Sequence, residues 1–531
     1  MFKLNLLDLS FFLQPLSSIR LFIGSAFIYL LITVNAYSVE LHLTETLTFE
    51  EAVWFERRVG IGAPLNRVEN LIGKTRRQAI DQTINELEFY KDDFSWPEWV
   101  DELAPISFFE AAKVRNKFYC GETMFRDSLE VSLSSQLLFT KTPQFERLFL
   151  FFLDHFSVAF DTYKKGHAYV KHMQILRNHA NRNFFDMLKS SVNDPAMLVY
   201  LTNDSSTPLS PNENLAREFL ELFSLGEGNY SEKDIKDLAV ALLPYGINPV
   251  SENFHFYEKK FRPKDLTFFG SGYTDIHEFF ELVKSRPEFG TFIAEKFYAE
   301  YVSIKPPGQD SIRKLQSEFK KHNFSIPEML RSVLSLPEFW DTRNRLSIVK
   351  TPVDLLYGSA RSLSYVGSKK YDHYWLMSQA KRFNHNILNP PDISGFVGGK
   401  TWVGGNLLDD RIKLVSKMFG DADIVESDVT ETYKVYLEDI ESRRKVREKS
   451  FNKIDKYNSG KTVFFNSLQE DQLGIETILL NHVSSNFEDE QSQSIELAFY
   501  NLKLNDKQWD GLIVEYGYNW RSFLTIKEGH G

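Results

Sequence analysis

Helix start signals recur along most of this chain. Three segments carry the capping-box pattern, in which a hydroxyl side chain precedes an acidic or amide side chain by three residues, and they begin at Thr48, Thr75 and Ser231. After the third signal, apolar residues follow at the spacing of one helix face, namely Ile235, Leu238, Ala239 and Leu242. Alternating strand patterns are scarce, so the sequence predicts an all-α fold.

The composition agrees with long helices. The 531 residues include only 27 glycines and 19 prolines, and 46 phenylalanines are available to fill a large core. We predict a large multi-helix domain over residues 45–420 and a smaller helical C-terminal region over residues 466–531. Residues 421–465 are dense in charges of both signs, which is typical of a charged linker or a solvated helix.

Charge and cysteine content exclude several classes of protein. The net charge of −10 lacks the basic surplus of a general nucleic-acid binder, so we expect no nucleic-acid partner. A single cysteine excludes an internal disulfide framework and a cysteine-based zinc site.

The N-terminus reads as a targeting segment. An uncharged run from Leu21 to Val34 is too short for a typical membrane helix, and Ala36 fits the small-residue rule for cleavage. We therefore predict a signal peptide over residues 1–36, with an uncleaved anchor as the alternative. The mature protein is then expected in the periplasm or secreted, with no further span.

The most informative segment is a predicted amphipathic helix over residues 211–225. Ser210 is its predicted N-cap, Pro211 its first residue, and Gly226 its end. One face is apolar, and the opposite face carries four charged side chains: Glu213, Arg217, Glu218 and Glu221.

Three readings of this charged face stay open. It is a solvated face with pairs between residues four apart, a cleft that holds a cation or performs acid–base chemistry, or a buried ion network. His155 lies upstream after an aromatic run and is either a core histidine or a partner of the carboxylates. The candidate catalytic set is therefore Glu213, Arg217, Glu218, Glu221 and His155, with metal and cofactor unknown.

Two apparent motifs fail on inspection. His277-Glu278-Phe279-Phe280-Glu281 lacks the second histidine of a zinc-protease helix and reads as an amphipathic helix. Gly399-Lys400-Thr401 lacks the first glycine and the preceding strand of a phosphate-binding loop, so we expect no nucleotide site there.

Two sequence blocks resemble a known bacterial family, the domain-of-unknown-function 1800 family. The blocks are Asp194 to Leu201 and Pro211 to Gly226. Further matches, within a resemblance that spans about residues 45–420, are Arg57-Arg58-Val59-Gly60, Phe152 with His155-Phe156, Lys350-Thr351-Pro352, Pro390-Pro391, Gly395-Phe396, Trp402 and Arg411.

The resemblance implies an exported, largely helical bacterial protein, often encoded beside an exported sulfatase-like protein. It implies no particular reaction. This chain departs from the family pattern where relatives carry polar or tryptophan residues, at Val240, Leu243-Pro244-Tyr245, Phe261-Arg262, Leu266, Phe269-Gly270 and Phe396. These losses favour a binding role over an enzymatic one.

The sequence thus supports two main hypotheses of function. The first is an exported binding or assembly factor that acts with an extracytoplasmic partner, either a sulfatase-like protein or a cell-surface polymer. The alternative is a hydrolase or metal-dependent enzyme that uses the polar face of the 211–225 helix with His155. A purely structural envelope component is the third option.

Overall fold

The computed structural model describes residues 41–420 except 98, 103–114, 164, 249–250, 261–264, 346, 364–371 and 406. The predicted signal peptide, the charged linker and the C-terminal region lie outside the described residues, as do Phe261-Arg262.

Helices form most of the described chain, as predicted. Up to residue 200 they are α1 Phe49–Val59, α2 Leu65–Leu71, α3 Arg76–Glu88, α4 Trp99–Glu102, α5 Arg115–Phe139, α6 Pro143–His155, α7 Phe160–Tyr163, α8 Gly166–His179, α9 Phe184–Ser191 and α10 Pro195–Tyr200. They continue as α11 Asn214–Glu218, α12 Glu232–Ala241, α13 Ile276–Ser285, α14 Pro287–Tyr301, α15 Gln309–Lys321, α16 Ile326–Leu334, α17 Pro337–Trp340, α18 Pro352–Ser362, α19 His373–Arg382 and α20 Leu407–Gly420. None of the described helices is both long and apolar enough to span a bilayer.

Two small antiparallel hairpins interrupt the helices. Strand β1, Tyr245–Ile247, pairs with β2, Phe254–Phe256, and strand β3, Leu266–Phe268, pairs with β4, Ser271–Tyr273. In the first hairpin Tyr245 lies opposite Phe256. Strands of three residues are too short to show an alternating pattern, so the sequence analysis did not find them.

The capping boxes predicted at Thr48, Thr75 and Ser231 are confirmed. The Thr48, Thr75 and Ser231 side chains each accept the backbone N–H three residues on, and the residue at that position returns the contact. In each box, side chains accept hydrogen bonds from backbone N–H groups at the start of the helix that have no partner within the helix. The segment from His277 to Glu281 is also helical, as predicted, with Phe279 and Phe280 buried. Gly399-Lys400-Thr401 forms part of a 3-10 turn.

The core is dense in aromatic side chains. Phe55 stacks on Trp340 with ring centroids 5.6 Å apart, and Phe152 packs against Phe184 and Phe297 at 6.1 and 6.2 Å. These pairs join helices that are distant in sequence, and such contacts stabilise a core beyond the area they bury.

The predicted start of the 211–225 helix is wrong. The α-helix begins at Asn214, whereas Ser210 forms an isolated bridge with Thr207. Asn212 explains the delay: its side chain accepts the Asn214 N–H at 2.9 Å and donates to Thr202 Oγ1 at 2.7 Å. From Phe219 to Ser224 the helix widens into a π-helix, which ends before Gly226 at a φ of +86°.

The turn after α1 packs directly against α18. Gly62 has a φ of +72°, and a Cβ built on it would lie 2.5 Å from the carbonyl oxygen of Gly358. A side chain there is therefore opposed both by the backbone conformation and by the neighbouring helix.

We predict that Gly62→Ala destabilises the protein by about 3 kcal/mol or more, since the left-handed conformation alone costs roughly 1–2 kcal/mol. The measurement is the midpoint of urea unfolding. Gly73→Ala is the matched control, because Gly73 has a φ of +77° but nothing within 4 Å of the added Cβ. Equal losses in the two variants would contradict close packing of Gly62 on Gly358.

Candidate functional site

The five predicted site residues divide between three surroundings. Glu213 and Arg217 are on the solvent side, where Arg217 binds both carboxylate oxygens of Glu232 at 3.0 and 3.1 Å. Glu213 contacts Arg217 at 3.3 Å, which confirms the predicted pair between residues four apart. Arg217 is 36% exposed, so these pairs contribute little to stability.

Glu218 and Glu221 form part of a more enclosed, acidic group. Glu221 accepts a hydrogen bond from the Tyr230 hydroxyl, so the predicted Arg217–Glu221 pair is replaced by another contact. Burial raises the pKa of Glu218, and the neighbouring charges of Glu221 and Asp392 add to that effect. The π-helix contributes to this arrangement, because its wider turn shifts Glu221 from the angle that an α-helix would give it.

His155 lies in the aromatic core. It is 5% exposed, its Nε2 is 3.2 Å from the Phe223 carbonyl oxygen, and its ring packs edge-on against Phe156. Burial and the charge of Lys296 hold the pKa of His155 well below its usual value, so the imidazole is neutral. The structure therefore favours a core histidine, while the catalytic role of the five residues stays a prediction.

The structure brings together a larger set of ionisable side chains, which we call the ionic array. It runs between seven helices and the loop before Phe396. Its members are Glu218, Glu221, Asp392, Asp154, Lys296, Glu300, Arg147, Asp354, Lys350, Arg57 and Arg411.

Asp154 marks the acidic end of the array. Its Oδ1 accepts the backbone N–H of Phe396 at 2.8 Å, and a Cβ on Gly395 would lie 2.5 Å from the same oxygen. Burial raises the pKa of Asp154 to about 6, against the opposing effects of the Phe396 hydrogen bond and Lys296. The acidic end, defined as Asp154, Asp392, Glu218 and Glu221, is therefore a place where negative charge is poorly solvated.

Arg147 forms the middle of the array. Its guanidinium group contacts Glu300 at 2.8 Å and Asp354 at 3.1 Å, and it donates to the Gly60 carbonyl oxygen at 3.2 Å. Burial opposes the charge, but Asp354 and Glu300 more than offset it and raise the pKa of Arg147. These contacts use the two carboxylates that would otherwise neutralise nearby cations.

The basic end consists of Lys350 and the arginines around it, Arg57, Arg147 and Arg411. Arg411 donates hydrogen bonds to two backbone carbonyl oxygens, that of Lys350 at 2.7 Å and that of Trp402 at 3.3 Å. Within the described part of the chain, the Arg57 guanidinium and the Lys350 ammonium have neither a hydrogen bond nor an ion pair, although both keep partial solvent access. Burial, followed by the charge of Arg57, holds the pKa of Lys350 well below its usual value.

An aromatic group lies beside the basic end. The His385 ring is 4.5 Å from Phe396 and 5.0 Å from Trp402, and burial lowers the pKa of His385 to about 4. Phe396 thus packs in an aromatic group and holds Asp154 through its backbone N–H. Among the residues that the structure describes, no three or more His, Cys, Asp or Glu side chains are grouped so that they could hold a metal ion.

Sequence reasoning missed most of the array as a site. Arg57, Lys350 and Arg411 carried the family resemblance, yet nothing in their spacing assigns them a role, because even the nearest two, Lys350 and Arg411, are 61 residues apart. Lys296 and Glu300 lie on α14 at a spacing typical of any solvated helix face. The local signal that did succeed was the charged face of the 211–225 helix, which contributes Glu218 and Glu221 to the array.

Comparison with known proteins gives a family and nothing narrower. The model of the family described as "Protein of unknown function (DUF1800)" matches residues 55–506. The match runs past residue 420, where the resemblance noted from individual motifs stopped. No curated protein and no solved structure matches the chain.

Proposed function

The chain belongs to the DUF1800 family, described only as proteins of unknown function, and we propose that it is an exported binding protein that holds an anionic group of its ligand between Arg57 and Lys350. The observation that carries this proposal is that neither of these partly buried cations makes a hydrogen bond or an ion pair in the described part of the chain, and that Asp354, the carboxylate that acts on Lys350, is already bound by Arg147. Desolvated charges in proteins are normally paired, so a cation without a partner is a favourable place for an anion.

Two further features support an anion at this position. Lys350 lies two residues before Pro352, the first residue of the 11-residue helix α18, and the positive end of a helix dipole favours negative charge. The overall charge of the protein is −10, so the basic end is a local reversal of the protein's net charge. An anionic ligand would therefore be attracted to the basic end, although the protein as a whole is negatively charged.

The class of partner follows from this charge. A cell-surface polymer or an exported sulfatase-like protein that presents sulfate, phosphate or carboxylate groups fits the basic end. Export itself rests on the N-terminal segment, which predicts cleavage after Ala36. The N-terminal residue of the protein recovered from the cell envelope tests that part of the proposal, and an intact Met1 would contradict cleavage.

We predict that Lys350→Met and Arg57→Met each weaken binding of inorganic sulfate or phosphate by about tenfold, equivalent to roughly 1.4 kcal/mol. Each change removes one of two charge-assisted contacts. Isothermal titration of the full chain gives the affinity, and the melting temperature without anion reports folding. Lys320→Met is the control, because Lys320 is exposed on α15. Unchanged affinity in both site variants would contradict the proposal.

We also predict that sulfate binding is accompanied by proton uptake at pH values between the pKa of Lys350 in the free protein and its pKa in the complex. The pKa of Lys350 is low in the free protein because of burial and Arg57, and a bound anion raises it by adding opposite charge. Between the lower free value and the higher bound value the complex carries the extra proton, so affinity falls as pH rises. Titrations in two buffers of different ionisation enthalpy measure the uptake. Proton release, or equal uptake in Lys350→Met, would contradict Lys350 as the group.

A hydrolase is the second candidate function, and the carboxyl of Asp154 favours it. A group whose pKa burial raises to about 6 is partly protonated near neutral pH, as a general acid requires. Hydrolysis of 4-nitrophenyl sulfate or phosphate should then fall at least about 100-fold in Asp154→Asn, with sulfate binding retained. Asp310→Asn, at a side chain that is 96% exposed, is the control. Absence of turnover with both esters would leave binding as the function.

A further inference from the structure

A pocket lies apart from the ionic array, next to the first hairpin. It has a volume of about 650 Å³ and lies between strands β1 and β2, the C-terminal end of α9 and the first turn of α13. This volume is within the range of small-molecule sites, which are roughly 300–1,000 Å³.

One wall of the pocket is aromatic. Tyr245 lies 5.7 Å from Phe254 and 5.4 Å from Phe256 between ring centroids, tilted by 43° to the first ring and edge-on to the second, so its ring contacts both aromatic side chains of β2. Phe256 is 39% exposed, although it is a large apolar side chain on a short strand. The hairpin register fixes this surface, because Tyr245 lies opposite Phe256.

The floor of the pocket is apolar and rigid. Five buried side chains from four separate segments form it, and they are Val192, Ala241, Leu266, Ile276 and Phe280. Each is at most 6% exposed and belongs to the main core. The aromatic wall therefore stands on packed structure, and a ligand would meet a surface that is already formed.

Polar groups surround the rim. The Tyr245, Asn193 and His277 side chains line the pocket and make no hydrogen bond with another residue of the described structure. Asp275 uses Oδ1 to accept the N–H groups of His277 and Glu278, which leaves its other oxygen available. Donors and acceptors thus alternate around an apolar centre.

The charges on the rim nearly cancel. Asp186 pairs with Lys189 at 2.6 Å, and the charge of Asp275 faces the positive end of α13. An anionic ligand would find no free cation here. A quaternary ammonium ion prefers aromatic rings on several sides, whereas these three rings form a single wall.

We propose that this pocket binds a neutral saccharide, with one sugar ring against Tyr245, Phe254 and Phe256 and its hydroxyl groups on Asn193, Asp275 and His277. A pyranose ring has an apolar C–H face and a polar edge, so it matches an aromatic wall bordered by small donors and acceptors. The site is separate from the ionic array and does not depend on the anion-binding proposal.

Titration of the full chain with three neutral trisaccharides, cellotriose, maltotriose and tri-N-acetylchitotriose, tests this proposal. We expect at least one to bind, with transfer of saturation in NMR from aromatic protons to the sugar C–H protons. Phe256→Ala should weaken that binding by about tenfold. Phe89→Ala is the matched control, since Phe89 is 83% exposed on another part of the chain, and its affinity should not change.

Asn193→Ala is a second variant for the case in which Phe256→Ala fails to fold, because it leaves the aromatic wall intact. It should weaken binding by a few fold. Sulfate affinity should be the same in all three variants, so a failure here is distinguishable from a failure of the anion proposal. The proposal is overturned if none of the trisaccharides binds at millimolar concentration, if the two site variants bind as well as the parent, or if choline binds better than every sugar.

Discussion

Four helices meet at one guanidinium group, and the character of the site depends on it. Arg147 of α6 holds Glu300 of α14, Asp354 of α18 and the carbonyl oxygen of Gly60 at the end of α1. Because one arginine binds both carboxylates, neither Lys350 nor Arg57 forms an ion pair in the described part of the chain. The basic end is therefore a consequence of how Arg147 is bound, since a carboxylate released from it would be free to neutralise Lys350.

Helix positions were predictable where the decisive interaction is local. The capping boxes at Thr48, Thr75 and Ser231 join residues three apart, so the sequence alone contains both partners. The start of the 211–225 helix was mispredicted for the opposite reason. Asn212 is bound by Thr202, ten residues earlier, and this contact keeps Ser210 in a turn with Thr207. A favourable capping pattern lost to a tertiary hydrogen bond.

The candidate site was even less predictable from local sequence than the helix starts were. The charged face at residues 213–221 was recognised because helical periodicity places its members together, and Glu218 and Glu221 do belong to the acidic end. The rest of the array is assembled from positions as distant as Arg57 and Arg411, and no periodicity relates them. The family resemblance marked several of these positions without assigning chemistry to them. Only the fold shows that they surround Lys350.

The array also gives a physical reason why the proposed anion would stabilise this protein. At the acidic end, Asp154 and Glu218 have raised pKa values because burial and neighbouring carboxylates disfavour their charges. At the basic end, the pKa of Lys350 is lowered by burial and by like charges. Each of these pKa shifts corresponds to a loss of folding free energy when the group is charged, because a perturbed pKa is a difference in stability between two protonation states. The negative charge of the proposed anion would relieve the penalty at Lys350, so the basic end costs stability when empty and less when occupied, which is the usual relation between a binding site and its scaffold.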